Sequence, residues 1–193
     1  MARAIFPFDE INSFSTVVLP KHFDERGRIK SKKDCEDIID EMLDLFLLAY
    51  ENGVDIVNEQ FGGSYEPTLE EVERTVYHRI NDLTWVDRVW EWYEKGGTAE
   101  DIVRIVETEA HRDGNAAADT TALNNGATKK TYITMQDEKV RDTHAYLDGV
   151  SVGVTDKFYT FDGDSAYYPG GFALPENNVN CRCELRYSQE NTE

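Results

Sequence analysis

Long apolar runs and cysteines are both scarce in this chain. The most apolar stretch, residues 43–50, is far shorter than the roughly 20 apolar residues that cross a membrane. Three cysteines in 193 residues are too few, and odd in number, for a disulfide framework. Residues 1–14 lack the apolar core and cleavage site of a signal peptide. We therefore expect folding under reducing, intracellular conditions.

Basic residues are also in short supply. The 20 lysines and arginines face 38 aspartates and glutamates, which gives a formal net charge of −18. Such a surface repels nucleic-acid phosphates and anionic membranes, apart from local basic positions in residues 21–33 and at Arg182 and Arg186. We expect protein partners, no membrane, and at most an indirect relation to DNA. Cation binding, plain solubility or a halophilic source would fit the charge as well.

Sequence motifs of nucleotide and metalloprotease chemistry are absent. The chain has no Walker loop, no dinucleotide-binding glycine pattern and no HExxH. The DGDS segment, residues 162–165, is too short for a calcium loop. Together with the Tyr-Tyr-Pro-Gly-Gly segment at 167–171, it is typical of turns.

The N-terminal part divides into an arm and a first helix. Residues 1–30 are partly apolar without a helical period, and prolines interrupt them. Such an arm docks either on another subunit or on its own domain. Residues 31–52 carry a wide apolar face that predicts a helix. Gly53 suits the left-handed position that ends a helix, and one or two further turns are predicted over 54–61.

Two more helices are predicted from capping boxes, in which a Thr and an acidic residue three positions on satisfy each other's backbone N–H groups. The first box is Thr68 with Glu71, and its apolar stripe continues to the next Gly-Gly pair. The second is Thr98 with Asp101, and Gly114 is a candidate kink in that helix. With acidic outer faces and apolar inner ones, the three helices predict a small bundle.

After residue 129 the helical spacing gives way to an alternating one. Strands are predicted over residues 131–135, 150–154, 157–161 and 180–187. A short helix that Asp137 caps and Gly149 ends carries His144 on its apolar face. The predicted class is α+β, with an N-terminal helical bundle followed by a small antiparallel sheet with one short helix packed on it.

Three residues of this C-terminal part are potential zinc ligands. His144, Cys181 and Cys183 are of the kinds that zinc takes, and His111 could be a fourth. However, Cys-x-Cys is not the usual Cys-x-x-Cys spacing, and two cysteines on one strand face are commonly buried as small apolar residues. A disulfide between them is disfavoured by their separation along a strand. The sequence therefore favours a site without metal and predicts no cofactor.

Catalytic interpretations are available but weaker than a structural one. Cys181, His144 and Asn180 would suit a thiol hydrolase, yet catalytic thiols favour exposed, electropositive sites rather than strands. A nuclease- or transferase-like enzyme would use His144 with Glu109, Arg141 and Arg182. We expect instead that His144 is a hydrogen-bonded core residue between helix and sheet, and we assign no catalytic residue.

Three segments of the C-terminal part together form a recognisable pattern. The first comprises Asp137, Val140, Arg141, His144, Leu147, Asp148 and Gly149; the second Tyr168, Pro169 and Gly170; the third Asn180, Cys181, Arg182 and Cys183. This pattern resembles the C-terminal domain of phage head-morphogenesis proteins, the minor capsid family typified by the Mu F protein. The resemblance extends over residues 103–187.

Upstream of these segments the match is partial. Thr108, Glu109 and Asn115 agree with the family's helix motif, whereas Glu107 stands where Arg is usual and Tyr132 lies near the place of a usual Trp. The resemblance divides the chain into an arm at 1–30, a helical region at 31–97, a Mu F-like domain at 98–187 and a tail at 188–193.

The resemblance implies a minor component of a tailed-phage or prophage head. Such a protein is present in several copies in the virion, at the portal or inner capsid, and in the host cytoplasm during assembly. Its expected partners are the portal and the major capsid protein. The alternative is a small phage-encoded enzyme that uses His144, Glu109 and Arg141, since related domains are sometimes fused to toxin modules in prophages.

Overall fold

The helices come first along the chain and the strands follow, as the α+β prediction requires. The structure, a computed structural model, describes residues 5–189. Its α-helices in this range are α1 (Phe8–Ser13), α2 (Lys32–Phe61), α3 (Leu69–Val76), α4 (Trp85–Lys95), α5 (Ala99–Asn124) and α6 (Asp142–Ala145). Its strands are β1 (Lys129–Ile133), β2 (Ser151–Gly153), β3 (Phe158–Tyr159), β4 (Ser165–Ala166) and β5 (Glu184–Ser188).

The described part of the arm is helical over residues 8–22 and packs on its own chain. After α1 it continues through a π-helical turn, Phe14–Val18, and a 3₁₀ turn, Leu19–His22. Ile11, Phe14 and Leu19 are buried in the core formed by the long helices. Pro7 and Pro20 do not prevent helix formation in the arm, because each lies at the start of a helical segment, where its missing N–H is not needed. For residues 5–30, packing within the chain is therefore the outcome.

Helix α2 does not end at Gly53, and that prediction was wrong. A Cβ atom at Gly53 would lie 2.2 Å from the carbonyl oxygen of Gly114 in α5, so the glycine permits close approach of the two helices. The helix ends instead at Gly62, which has a φ of 61° and satisfies the last carbonyl groups. Gly114 lies within α5, which continues without a break to Asn124.

The capping boxes at Thr68–Glu71 and Thr98–Asp101 are confirmed as helix starts. The single helix predicted after Thr68 is wrong, because the chain leaves helical geometry after Val76. Asn81 and Asp82 adopt positive φ angles of 51° and 65°. A further capping box, formed by Thr84 and Asp87, then starts α4. The apolar spacing continues through this break and so conceals it.

The strands form two antiparallel groups. The larger has the order β2-β1-β5, with Thr131 opposite Ser151 on one side and Arg186 on the other, and β3 pairs only with β4. Strands β2, β3 and β5 are shorter than predicted, and the last begins at Glu184 rather than at residue 180. Strand β1 has the predicted five residues but begins at Lys129 instead of residue 131. The predicted alternation nevertheless holds, since Cys181, Cys183, Leu185 and Tyr187 are all buried.

Two apolar clusters hold these parts together. The first lies among α1–α5, where the rings of Phe46 and Trp85 meet edge to face at 4.9 Å. The second joins Ala118 and Ala122 of α5 to Tyr132 and Leu185 of the sheet. Helix α5 is thus shared by both clusters and fixes the sheet against the bundle. Within residues 5–189, no helix is long and apolar enough to cross a membrane.

Candidate functional site

His144 lies at the centre of the C-terminal unit, which comprises residues 129–188, and is 1% exposed. It belongs to the one-turn helix α6, which is much shorter than predicted. Its ring packs edge-on against Tyr132, at 5.8 Å between centroids, and lies 5.3 Å from the ring of Phe172. The sequence therefore correctly predicted a histidine between helix and sheet.

Two thiols approach the same nitrogen of His144. Cys181 Sγ lies 3.6 Å and Cys183 Sγ 3.5 Å from Nδ1, and the hydroxyl of Tyr132 lies 3.3 Å from it. Hydrogen bonding with Cys183 and His144 holds the pKa of the Cys181 thiol well below its usual range, whereas the same partnership and burial raise the pKa of Cys183. Asn180, with a φ of 57°, turns the chain just before Cys181.

Asp137 does not cap α6, and that prediction was wrong. Arg141 occupies the N-cap position, and Asp137 accepts two hydrogen bonds of 2.8 Å from the guanidinium of Arg182. This bidentate pair, with the backbone N–H of Lys139, lowers the pKa of Asp137. Two residues separated by 45 positions are thereby joined across the unit.

Other residues of the pattern also bind neighbouring loops. Arg141 donates to the carbonyl oxygens of Glu176 and Val179. Asp148 accepts from the backbone N–H and the hydroxyl of Thr134, at 2.8 and 2.9 Å, and these bonds lower its pKa. The charged groups of the pattern are thus largely occupied by contacts within the chain.

The Tyr168-Pro169-Gly170 turn packs against α5. Gly170 has a φ of 87°, and a Cβ atom there would lie 3.0 Å from Cα of Arg112. In the preceding DGDS turn, Asp164 accepts hydrogen bonds from the backbone N–H groups of Ala173 and Leu174, at 3.1 and 2.9 Å. The structure therefore places this segment as a corner of the fold.

The family model for phage Mu protein F like protein matches residues 67–186. The chain belongs to this family of phage head-morphogenesis proteins. The match begins earlier than the resemblance found in the sequence and includes α3 and α4, which pack beside α5.

A curated relative is also similar to part of this phage Mu protein F-like chain. It is the NAD(+)–arginine ADP-ribosyltransferase EFV of Enterococcus faecalis (strain ATCC 700802 / V583), 34% identical over 101 residues. The similarity covers 49% of the present chain but 20% of the relative, so the chain spans only a fifth of that protein's length. Comparison with solved structures finds no match.

Glu109, a residue of the family's helix motif, lies in a buried ion-pair cluster on α5. It is 0% exposed and binds Arg88 and Arg112, the latter through Nε at 2.9 Å. Burial alone would raise the pKa of Glu109, but the two arginines outweigh it and hold that pKa below its usual range. The arginine that the family motif usually has at position 107 is absent here, and Arg88 and Arg112 supply positive charge to Glu109.

Asp113 completes this cluster and differs from Glu109 in its electrostatics. Arg112 Nη2 lies 2.7 Å from Asp113 Oδ1, but without hydrogen-bond geometry, and neither carboxylate oxygen has a hydrogen-bond partner among residues 5–189. Complete burial raises the pKa of Asp113 well above its usual value, and Glu109 adds to this while Arg112 opposes it. No sequence motif marks Arg88, Arg112 or Asp113; the three-residue spacing of Glu109 and Arg112 on one helix face is the available signal.

The residues of the predicted enzyme alternative do not converge on one cavity. His144 and Arg141 line a cavity of about 10 Å³, and Arg141 and Arg182 line a groove of about 920 Å³ beside it. Glu109 lines neither of these cavities. The groove has both apolar and charged walls, contributed by Phe6, Phe8, Val103, Glu107, Arg141 and Arg182. Its mixed charge does not favour nucleic acid.

Proposed function

We propose that this chain is a minor capsid protein that acts in the assembly of a tailed-phage or prophage head. It would be present in several copies near the portal or on the inner face of the capsid, and in the host cytoplasm during assembly. Membership of the phage Mu protein F-like family, through the match over residues 67–186, supports this proposal.

The contacts made by the residues of the C-terminal sequence pattern support this proposal. In a catalyst, polar groups converge on a cavity where a substrate can reach them. Here Asp137 binds Arg182, Asp148 binds Thr134, and Arg141 binds backbone carbonyl groups. These contacts engage the charged groups of the C-terminal unit within the chain, which suits a protein whose task is to present a surface to other head components.

The charge of the chain supports protein partners over DNA. With a formal net charge of −18, the surface repels packaged DNA over most of its area. We therefore propose the portal and the major capsid protein as partners, with DNA as an indirect neighbour.

The domain boundary predicted at residue 98, between the helical region and the Mu F-like domain, stays a prediction. Helix α5, which follows this boundary, contributes to both apolar clusters.

Co-purification with the head proteins of the same phage tests this function. The chain would be co-expressed with its portal or its major capsid protein, and retention on an affinity tag of the partner would be measured. We expect retention by at least one of them. A folded chain that neither partner retains, and that purified heads also lack, would overturn the proposal. A destabilised variant such as Gly53→Ala serves as the control for fold-dependent retention.

A second candidate is an enzyme, which the similarity to the Enterococcus faecalis transferase favours. Transfer of ADP-ribose from NAD⁺ to arginine is the direct test. Because His144 is 1% and Glu109 0% exposed, we expect no transfer. Activity in the wild-type chain that a normally assembled His144→Ala variant loses would establish the enzyme instead.

A further inference from the structure

The convergence of His144, Cys181 and Cys183 has a simple chemical explanation. Their ligand atoms all lie within 4.8 Å of one another, and all three residues are buried. We propose that this cluster binds a zinc ion that fastens α6 to the segment preceding β5. The site is structural and does not depend on the proposed function.

The distances agree with shared coordination of one ion. Zinc lies about 2.0 Å from an imidazole nitrogen and about 2.3 Å from a thiolate, so tetrahedral angles place nitrogen and sulfur roughly 3.6 Å apart. The observed separations from His144 Nδ1 are 3.6 Å to Cys181 Sγ and 3.5 Å to Cys183 Sγ. The backbone thus already holds each sulfur at the required distance from the nitrogen.

Hydrogen bonding alone does not account for the crowding at His144 Nδ1. This nitrogen has one lone pair or one proton, yet the hydroxyl of Tyr132 and two thiols lie within 3.6 Å of it. Only one of these three groups can form a well-directed bond there. A cation between the nitrogen and the two sulfurs satisfies all three ligand atoms and leaves the Tyr132 hydroxyl free to donate to a thiolate.

The fourth position of the tetrahedron belongs to solvent. His144, Cys181 and Cys183 line the cavity of about 10 Å³, and this volume suits a single water molecule. His111, the fourth ligand considered from the sequence, is not in the group; its Nε2 lies 3.2 Å from Asn115 Nδ2. His144 Nε2 has no hydrogen-bond partner among residues 5–189, so the site lacks the outer partner that strengthens many zinc sites.

A zinc ion here would close long stretches of chain. His144 is separated from Cys181 by 37 residues and from Cys183 by 39. The enclosed segment contains the β3–β4 hairpin and the Tyr168-Pro169-Gly170 turn. In a reducing cytoplasm a metal can cross-link such a segment where a disulfide cannot.

Metal content measured on the full chain tests the proposal. The protein would be purified without a polyhistidine tag under reducing conditions, and zinc would be determined by elemental analysis after dialysis. We expect one zinc per chain, loss of zinc in Cys181→Ala and Cys183→Ala, and full zinc content in Cys35→Ala. Cys35 is the matched control, since it is a buried free thiol outside the cluster.

Cobalt substitution keeps the test decisive if the cluster variants fail to fold. Wild-type protein and Cys35→Ala, freed of metal and loaded with Co²⁺, should show thiolate-to-cobalt absorption and the intense visible bands of a tetrahedral site. Zinc should then displace the cobalt spectrum. A folded, reduced wild-type chain that retains neither zinc nor cobalt after dialysis would overturn the proposal.

Discussion

Gly53 of α2 and Gly114 of α5 meet backbone to backbone, and a Cβ atom at Gly53 would lie 2.2 Å from the Gly114 carbonyl oxygen. This crossing sets the distance between the two longest helices. Since α5 also packs on the sheet, it sets the position of the C-terminal unit as well.

Gly53→Ala should therefore destabilise the fold although alanine favours helices. In an open helix position this change stabilises, whereas here it forces two backbones apart, at a cost of about 3 kcal/mol. Urea unfolding followed by circular dichroism measures the difference. The control is Gly62→Ala, where no atom lies within 4 Å but φ is +61°; there the strained conformation alone should cost about 1–2 kcal/mol. A stabilised Gly53→Ala would contradict the close crossing.

Removal of the buried carboxylate at Glu109 should strongly destabilise the fold. Glu109→Gln removes the carboxylate that accepts the Nε hydrogen bond of Arg112, which is 2% exposed, and breaking such a buried pair costs about 3–5 kcal/mol. The thermal midpoint would be compared with that of Asp137→Asn, which removes the same charge from the more exposed pair with Arg182. We expect a large fall for Glu109→Gln and little change for Asp137→Asn. Equal falls in the thermal midpoint would show that Glu109 and its arginine partners do not form a buried network.

Asp113 should make stability fall as pH rises. Its folded pKa lies above its unfolded value, so the folded state keeps a proton that the unfolded state has lost. This group then lowers the free energy of unfolding from pH 4 upward by at most about 1.4 kcal/mol per pH unit, until the folded carboxyl ionises. Asp113→Asn resembles the protonated acid and removes that dependence.

Urea unfolding of both proteins between pH 4 and pH 8 measures this effect. The stability of Asp113→Asn relative to wild type should increase with pH, because only the wild-type carboxyl is penalised for losing its proton. Titrating groups remote from Asp113 contribute equally to both proteins and cancel in the comparison. A difference that is constant or decreases with pH would mean that Asp113 is ionised and paired with Arg112.

Local signals in the sequence predicted local structure well. The Thr68–Glu71 and Thr98–Asp101 boxes marked helix starts because each involves only four consecutive residues. The alternation from Cys181 to Tyr187 predicted which side chains are buried, although the strand itself begins only at Glu184.

Long-range relationships could not be predicted in the same way. Gly53 fits a helix end by its type, and only the position of Gly114 shows why it lies inside α2. Arg88 and Glu109 are separated by 21 residues with no shared motif. For the cluster at His144, the sequence provided the ligand types, but its Cys-x-Cys spacing is not the usual one for zinc. The distances from His144 to both sulfurs come from the fold.

A reconstruction of the phage head without imposed symmetry, combined with mass spectrometry of the purified particles, tests whether this chain is a component of the head. We expect peptides of this chain in the particles and density for its helical bundle and small sheet at the portal vertex or the inner capsid surface. Particles that assemble and package DNA in cells that express the chain, yet contain neither its peptides nor its density, would contradict a role as a minor capsid protein.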